Sequence, residues 1–469
     1  MITSLTDVIL AGTLPGPTHD HQFLVVRADA AERGAYLRLR EDVFIREQAL
    51  FSGSDRDHHD EDLRTIVLVA RTPDGTVLGG VRIHPMTDPD LGWWRGSRLA
   101  VMRGARGTHG VGVALIRAAC AAAEEEGALR FDAVVQEANE RIFTGLGWIP
   151  VGRQMLRGRP HIEFEWPIAR IQNAVNRTKA ILEGIVGDLL PRDRWTGDDG
   201  VPVPGSSLVA ACDAILPSMV ERDPEWAGWC SVLVNVNDLF AMGATPVGLL
   251  DAVAGRDASF VRRIVRGIAE ASRAWDVPVL GGHTQVGVPG ALSVTALGHA
   301  TNPVPGGGAA PGQRIRVTAD LDGSWRPGYT GGQWDTSSRR TGEELRALGR
   351  IVPALAPTAA KDVSMAGLVG TTGMLAEASG CRVELEMSAV PRPHTESMGD
   401  WATCFPGFAM VTAEIQPSAA ELPHFVTSNV CGIALAGTGV GLRWPDGRVT
   451  DAVQSSVTGL GHAFERSPS

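Results

Sequence analysis

Two neighbouring stretches, NVNDLFAMGATP (residues 235–246) and DVPVLGGHTQVG (residues 276–287), decide how the C-terminal two thirds of the chain is read. The first reads as an apolar strand running into Asn235-Val-Asn237-Asp238 and turning directly into a helix start. Asn235, Asn237 and Asp238 are acceptors that either cap free N–H groups there or hold a metal ion. The second reads as a buried strand over 277–280 that stops on Gly281-Gly282. A glycine pair at a strand end lets backbone N–H groups approach an anion, which is what a phosphate cradle requires.

With these stretches go Gly197-Asp198-Asp199-Gly200, Ala211-Cys212-Asp213 and Lys361-Asp362-Val363-Ser364-Met365-Ala366-Gly367. In order and spacing the set resembles the aminoimidazole ribonucleotide (AIR) synthetase-like superfamily, which includes thiamine-monophosphate kinase and selenophosphate synthetase. The resemblance spans about 187–458. It implies ATP and Mg²⁺ as cofactors, with Asp198, Asp199, Asp213, Asp238 and Asp362 as metal ligands. It further implies nucleotide contacts at Asn235, Gly281, Gly282 and Thr284, Lys361 and His283 near the phosphates, and a homodimer. Two departures stand out: His283 and Met365 occupy positions where the family carries carboxylates. Five acids converging on one place would repel one another unless cations were present. A triphosphate tail calls for Mg²⁺ held through such carboxylates.

At 469 residues the chain is long for one core, so two or three domains are expected. A net charge of −10 without a basic block argues against nucleic acid as partner. Cys120, Cys212, Cys230, Cys381, Cys404 and Cys431 are scattered, which fits neither a disulfide framework nor a structural zinc site. No apolar run approaches the roughly 18 residues of a membrane span, and the N-terminus lacks a signal layout, so a cytoplasmic protein is expected.

Residues 1–18 read as a loose lead-in and 22–28 as a short strand. Residues 31–49 carry helical spacing, with Tyr36, Leu39, Val43 and Phe44 as the apolar stripe. The run 52–62 holds five acids and His58-His59; it is either a solvated loop or an acceptor- or metal-binding loop. Strands at 65–71 and 77–84 flank a Thr72-Pro-Asp-Gly75 hairpin turn. A strand at 98–102 leads into a glycine-rich turn and a helix over 111–126, a geometry that can hold a pyrophosphate. Strands at 131–136 and 160–166 follow, the latter expected at an edge.

The turn from Arg106 to Gly112, with Asn139, Phe143 and Leu146-Gly147-Trp148 after the next strand, resembles the GNAT N-acyltransferases over about 22–166. The resemblance implies acetyl-CoA or another acyl-CoA held at Val101, Arg106, Gly107, His109, Gly110, Val111, Gly112, Asn139 and Phe143. Arg46-Glu47-Gln48 and Phe51 would then face the acceptor. Gly107 fills the slot where the family has a polar residue, and Phe143 falls where a thiolate-protonating tyrosine is frequent. His84, His59 and Glu137 are the candidate bases, and for each histidine a structural role is the plainer alternative.

The expected fold is α/β and α+β: a GNAT domain over 20–166, a linker helix over 167–186, and a two-part AIR synthase-like α/β domain over 187–305 and 312–460. Residues 300–311 read as a Pro/Gly linker, and 322–340 as a long loop that closes over a ligand. Cys404 reads as a buried thiol, and the tail after 464 as disordered. The expected function is acyl-CoA-dependent N-acylation of a small amine with ATP- and Mg²⁺-dependent activation of an amide or carboxylate. The alternatives are an acyltransferase whose second half is a dimerisation or ligand-sensing module, and a small-metabolite kinase.

Overall fold

A computed structural model describes residues 8–14, 21–106, 110–178, 185–186, 189–190, 195–454 and 456–463. The chain divides into two compact units, Met1–Arg170 with Ser397–Gly399 and Ile171–Glu396 with Asp400–Ser469. Among the described residues no helix is long and apolar enough to cross a membrane.

The first unit contains β1 (Val8–Leu14), β2 (His21–Arg27), α1 (Ala30–Arg40), β3 (Ile66–Arg71), β4 (Val77–Pro85) and β5 (Trp93–Val101). After these come α2 (Val111–Glu125), β6 (Arg130–Gln136), α3 (Glu140–Gly145), β7 (Ile149–Leu156) and β8 (Arg159–Trp166). One sheet runs β1-β2-β3-β4-β5-β6-β8-β7. Its only parallel pair is β5 with β6. Three expectations are corrected. Residues 8–14 form a paired strand rather than a lead-in. β5 begins at Trp93, not at 98. β7 was missed because its side chains are mostly exposed, so β8 lies inside the sheet and β7 is the edge.

β5 and β6 pair only over Trp93–Gly96 and Arg130–Ala133. Beyond Gly96 the register of β5 against β4 shifts, and Arg98 adopts a φ of 55°. That bulge parts the two parallel strands. The hydroxyl of fully buried Tyr36, on α1, donates to the carbonyl of Arg98 at 2.6 Å. Gly80 makes room for that ring, since a Cβ there would stand 2.5 Å from Tyr36 Cδ2.

In the second unit α4 (Arg170–Thr178) buries Ile171 and Val175, and the expected remainder of the linker helix lies mostly outside the described residues. Then come β9 (Val201–Pro202), β10 (Leu208–Ala214), α5 (Pro217–Arg222), α6 (Pro224–Ala241), β11 (Thr245–Gly255), α7 (Ala258–Trp275), β12 (Val279–Val286) and β13 (Ala291–His299). The strands form a sheet in the order β12-β11-β13-β10-β9. α6 and α7 pack beside it, and its apolar residues Val247, Leu250, Val279, Leu280 and Val286 are exposed.

The rest comprises β14 (Arg314–Asp320), β15 (Ser324–Trp325), β16 (Gln333–Asp335), α8 (Gly342–Ala347), α9 (Ile351–Leu355), β17 (Ala359–Asp362), α10 (Gly367–Ser379) and β18 (Arg382–Glu386). The final strands are β19 (Phe405–Pro406), β20 (Ala409–Glu414), β21 (Val426–Leu435), β22 (Val440–Arg443) and β23 (Val449–Val453). A seven-stranded sheet runs β17-β20-β14-β21-β18-β22-β23. Phe408, Met410 and Ala360 share a core with Val236 and Leu239 of α6, so both halves of this unit are built on common packing.

Several expectations change here. Asn235, Asn237 and Asp238 lie in the last turns of α6, not at a helix start. The preceding apolar run is helical because it is buried on every side, a pattern that does not separate helix from strand. β12 runs straight through Gly281-Gly282 as an exposed edge strand, so the glycine pair does not end it. The stretch 300–311 is packed: a Cβ on Gly307 would meet Ala378 O at 2.5 Å. The 322–340 loop is organised by the small sheet β15-β16-β19.

Candidate functional sites

In the first unit the parting of β5 from β6 leaves a cavity of about 160 Å³ lined by Gly96, Ser97, Arg98, Leu99, Gln136 and His161, among others. A cavity of about 400 Å³ is lined by Val101, Arg106, Gly110, Val111 and Gly112. Asn139 and Phe143 line both. Gly110 precedes α2 with a φ of 67°, the left-handed conformation that leaves the helix N-terminus bare of side chain. Arg106 is anchored by donating to Val101 O at 2.8 Å and to Glu47 Oε2 at 2.8 Å. Gly107 and His109 lie outside the described residues. Phe143 stacks on Phe164 with ring centroids 5.5 Å apart and has no proton to give.

None of the three bases expected from sequence lines either cavity. His84 is buried beneath His59, with ring centroids 3.6 Å apart. Burial, with the neighbouring His59 and Arg82 charges, pulls the His84 imidazole down to about 3. His59 is lowered by burial and by His58. Glu137 is an exposed partner of Arg153. Four of the five acids of 52–62 are held in ion pairs rather than in a metal-binding loop, Asp62 with Arg64 at 2.8 Å. Asp55 binds Arg40 at 2.7 Å, Asp60 binds Arg40 at 2.6 Å, and Asp57 binds Arg82 at 2.6 Å and Arg98 at 2.9 Å.

The histidine that does line the cleft is His161 on β8, opposite Gln136 of β6 and only 6 % exposed. Its Nδ1 lies 2.9 Å from the Arg159 carbonyl, which can only accept. Nδ1 therefore carries the proton of the neutral ring, and Nε2 keeps its lone pair. Sequence reading passed over His161 because no motif surrounds it and because the alternation of β8 sets it in phase with Glu163 and Glu165 rather than with the buried Ile162 and Phe164. Gln136 Nε2 donates to Gln48 Oε1 at 3.0 Å, and Arg98 and Arg157 both lie over the Phe51 ring.

In the second unit Asp199, Asp238 and Asp362 bring ligand oxygens within 4.8 Å of one another. They come from the turn before β9, the end of α6 and the end of β17. Burial, then the charges of Asp199 and Asp213, push the Asp362 carboxyl well above the usual carboxylate range. A cluster of hard carboxylate oxygens at this spacing fits Mg²⁺. Asp362 and Asp213 also line a cavity of about 440 Å³ with Met219, Tyr329, Gln333, Met365 and Phe405. Tyr329 and Gln333 place the 322–340 segment on its wall.

The remaining expected residues are placed differently. Asp198 lies outside the three-acid grouping, beside Gly306 and Lys361. Lys361 does not reach the cavity; it is 1 % exposed and donates to Gly197 O at 2.8 Å and to Asp199 Oδ1 at 2.9 Å. Burial opposes its charge, but Asp199 and Asp198 more than restore it and raise its proton affinity above the ordinary lysine value. Asn235 is fully buried and donates to Ser231 O within α6. Gly281, Gly282, His283 and Thr284 are exposed on β12 and line none of these cavities. Cys404 is a buried thiol, pushed up by burial.

Two segments of the chain match known families. The Acetyltransferase (GNAT) family model matches residues 30–142, and the AIR synthase related protein, N-terminal domain model matches 197–300. The chain is 34 % identical over 224 residues to the uncharacterized protein sll0787 of Synechocystis sp., covering 46 % of this chain and 69 % of that one. It is 30 % identical over 205 residues to the thiamine-monophosphate kinase of Caulobacter vibrioides, covering 40 % of this chain and 57 % of the kinase. Among solved structures, thiamine monophosphate kinase from Aquifex aeolicus gives a TM-score of 0.43 at 19 % identity, over 54 % of this chain and 92 % of that one. The chain thus joins a GNAT acetyltransferase domain at residues 30–142 to an AIR synthase related N-terminal domain at residues 197–300.

Proposed function

We propose that this is a bifunctional enzyme that N-acylates a small amine from an acyl-CoA and activates an amide or carboxylate with ATP and Mg²⁺. The observation that carries the acyl-transfer half is the opening between β5 and β6, with His161 on its wall. The amine nitrogen attacks the thioester carbonyl, His161 Nε2 takes the amine proton, and the C–S bond breaks to release the CoA thiolate. A thiolate leaves without an acid, so Phe143 in place of a proton donor is tolerated. Gly110, Val111 and Gly112 at the start of α2 orient the pyrophosphate, with Val101, Arg106, Asn139 and Phe143 along the acyl-CoA path; Gly107 and His109 remain assigned to it by family position.

The observation that carries the second half is the convergence of Asp199, Asp238 and Asp362. These residues would hold the Mg²⁺, with Asp198 and Asp213 beside them; bound there, the ion neutralises the triphosphate charge. The 440 Å³ cavity then takes the group to be activated. The likeness to thiamine-monophosphate kinases supports phosphoryl transfer as the underlying chemistry. The exposed apolar face of the β11–β12 sheet supports a homodimer, and the protein is proposed to act in the cytoplasm.

Met365 on the cavity wall favours one other reading, an acyltransferase whose second unit binds nucleotide without turning it over. Assays of CoA release and of ADP release on the purified chain, each with and without the other cosubstrate across amine and amide panels, separate the two. The bifunctional reading expects both products. Tight Mg·ATP binding with no ADP from any panel member supports the binding module instead.

A further inference from the structure

Lys361 is the unexpected member of the acid cluster. Its side chain is 1 % exposed, and its ammonium is held by Gly197 O at 2.8 Å and Asp199 Oδ1 at 2.9 Å. The other oxygen of Asp199 accepts from the backbone N–H of Asp362 at 3.0 Å. Both oxygens of one cluster carboxylate are thus engaged by protein donors. Backbone closes the ammonium in: a Cβ on Gly306 would lie 2.9 Å from Lys361 Nζ and 2.6 Å from Asp198 Oδ1. A buried ammonium on a four-carbon stem is a compact point charge, and its position here is sterically fixed.

We propose that the Lys361 ammonium is a built-in cation that takes the place of one divalent ion, so that the acid cluster binds a single divalent metal ion per chain. This rests on reading the second unit as a Mg·ATP site. The Lys361 ammonium and the Asp362 N–H engage both oxygens of Asp199, so this carboxylate is already met by a fixed cation and a second divalent ion finds one carboxylate fewer to hold it. The same logic accounts for Met365, which lines the cavity beside Asp362 where the family resemblance calls for an acid: with a fixed cation in place, a further carboxylate has no ion to hold. The lysine also ties the Gly197–Asp199 turn to the end of β17, so the remaining metal site is assembled before the ion arrives.

The test is Mn²⁺ titration of the full chain without nucleotide, followed by electron paramagnetic resonance. One tightly bound Mn²⁺ is expected for the wild type and for Lys361→Arg, and two for Lys361→Met. Equal numbers in wild type and Lys361→Met overturn the proposal while leaving the metal site standing. No Mn²⁺ bound by any of the three removes the Mg·ATP reading and this inference with it. Thermal melting guards against a folding defect in Lys361→Met: Mn²⁺ is expected to raise its melting temperature by more than it raises that of the wild type, and equal increments overturn the proposal.

Discussion

The Tyr36 hydroxyl donates to the Arg98 carbonyl at 2.6 Å, tying α1 to the bulge that separates β5 from β6. A conformation as uncommon as the left-handed φ at Arg98 persists only where its surroundings hold it. Tyr36→Phe is expected to cost about 1 kcal/mol of stability by chemical denaturation. It should lower acyl-transfer kcat roughly ten- to a hundredfold as the cleft loses its alignment. Unchanged kinetics in a destabilised variant would show the bond to be purely structural.

His161 is the group placed to accept the amine proton. His161→Gln is expected to lower kcat/KM for acyl transfer by roughly 10²–10⁴-fold while leaving acyl-CoA binding intact. His84→Gln and Glu137→Gln should leave kcat/KM within a few-fold of wild type. If His161→Gln keeps its full kcat/KM, the base lies elsewhere.

His84 predicts a pH dependence of stability. Its folded value of about 3 lies below the ordinary histidine value because burial, His59 and Arg82 disfavour the imidazolium. The unfolded chain therefore binds the proton first. The stability that neutral His84 contributes is present above about pH 6.5 and is lost as pH falls toward 3. By pH 5 the loss is about 2 kcal/mol. Denaturation midpoints for wild type and a His84→Phe variant, followed from pH 7.5 to 5, should converge as pH falls.

Asp238 sits in the last turns of α6 and supplies one of the three converging carboxylates. Asp238→Asn is expected to weaken Mg²⁺-dependent ATP binding by more than the roughly 10–100-fold seen for outer-shell changes. Calorimetry with and without Mg²⁺ reads this directly. An unaltered affinity would mean that the cluster does not serve the nucleotide.

What local sequence determines is visible in the elements that carry their own signals. The Pro73-Asp74-Gly75 turn between β3 and β4, the apolar stripe of Tyr36, Leu39, Val43 and Phe44, and the glycine entry to α2 all act within a few residues, so both family resemblances and the α/β character were legible. Asp199, Asp238 and Asp362 were legible as a set because each sits in a recognisable motif, although the element carrying Asp238 was misjudged. A helix buried on all sides and a buried strand present the same apolar run, and only packing against β10 and β13 decides between them. Tertiary structure alone decided which histidine lines the cleft, that Asp55, Asp57 and Asp60 are paired with Arg40, Arg82 and Arg98, and that Lys361 turns toward Asp199 rather than toward the cavity. The physical reason is common to all of these: a charge takes its role from the partners that burial brings to it, and those partners lie up to more than a hundred residues away along the chain.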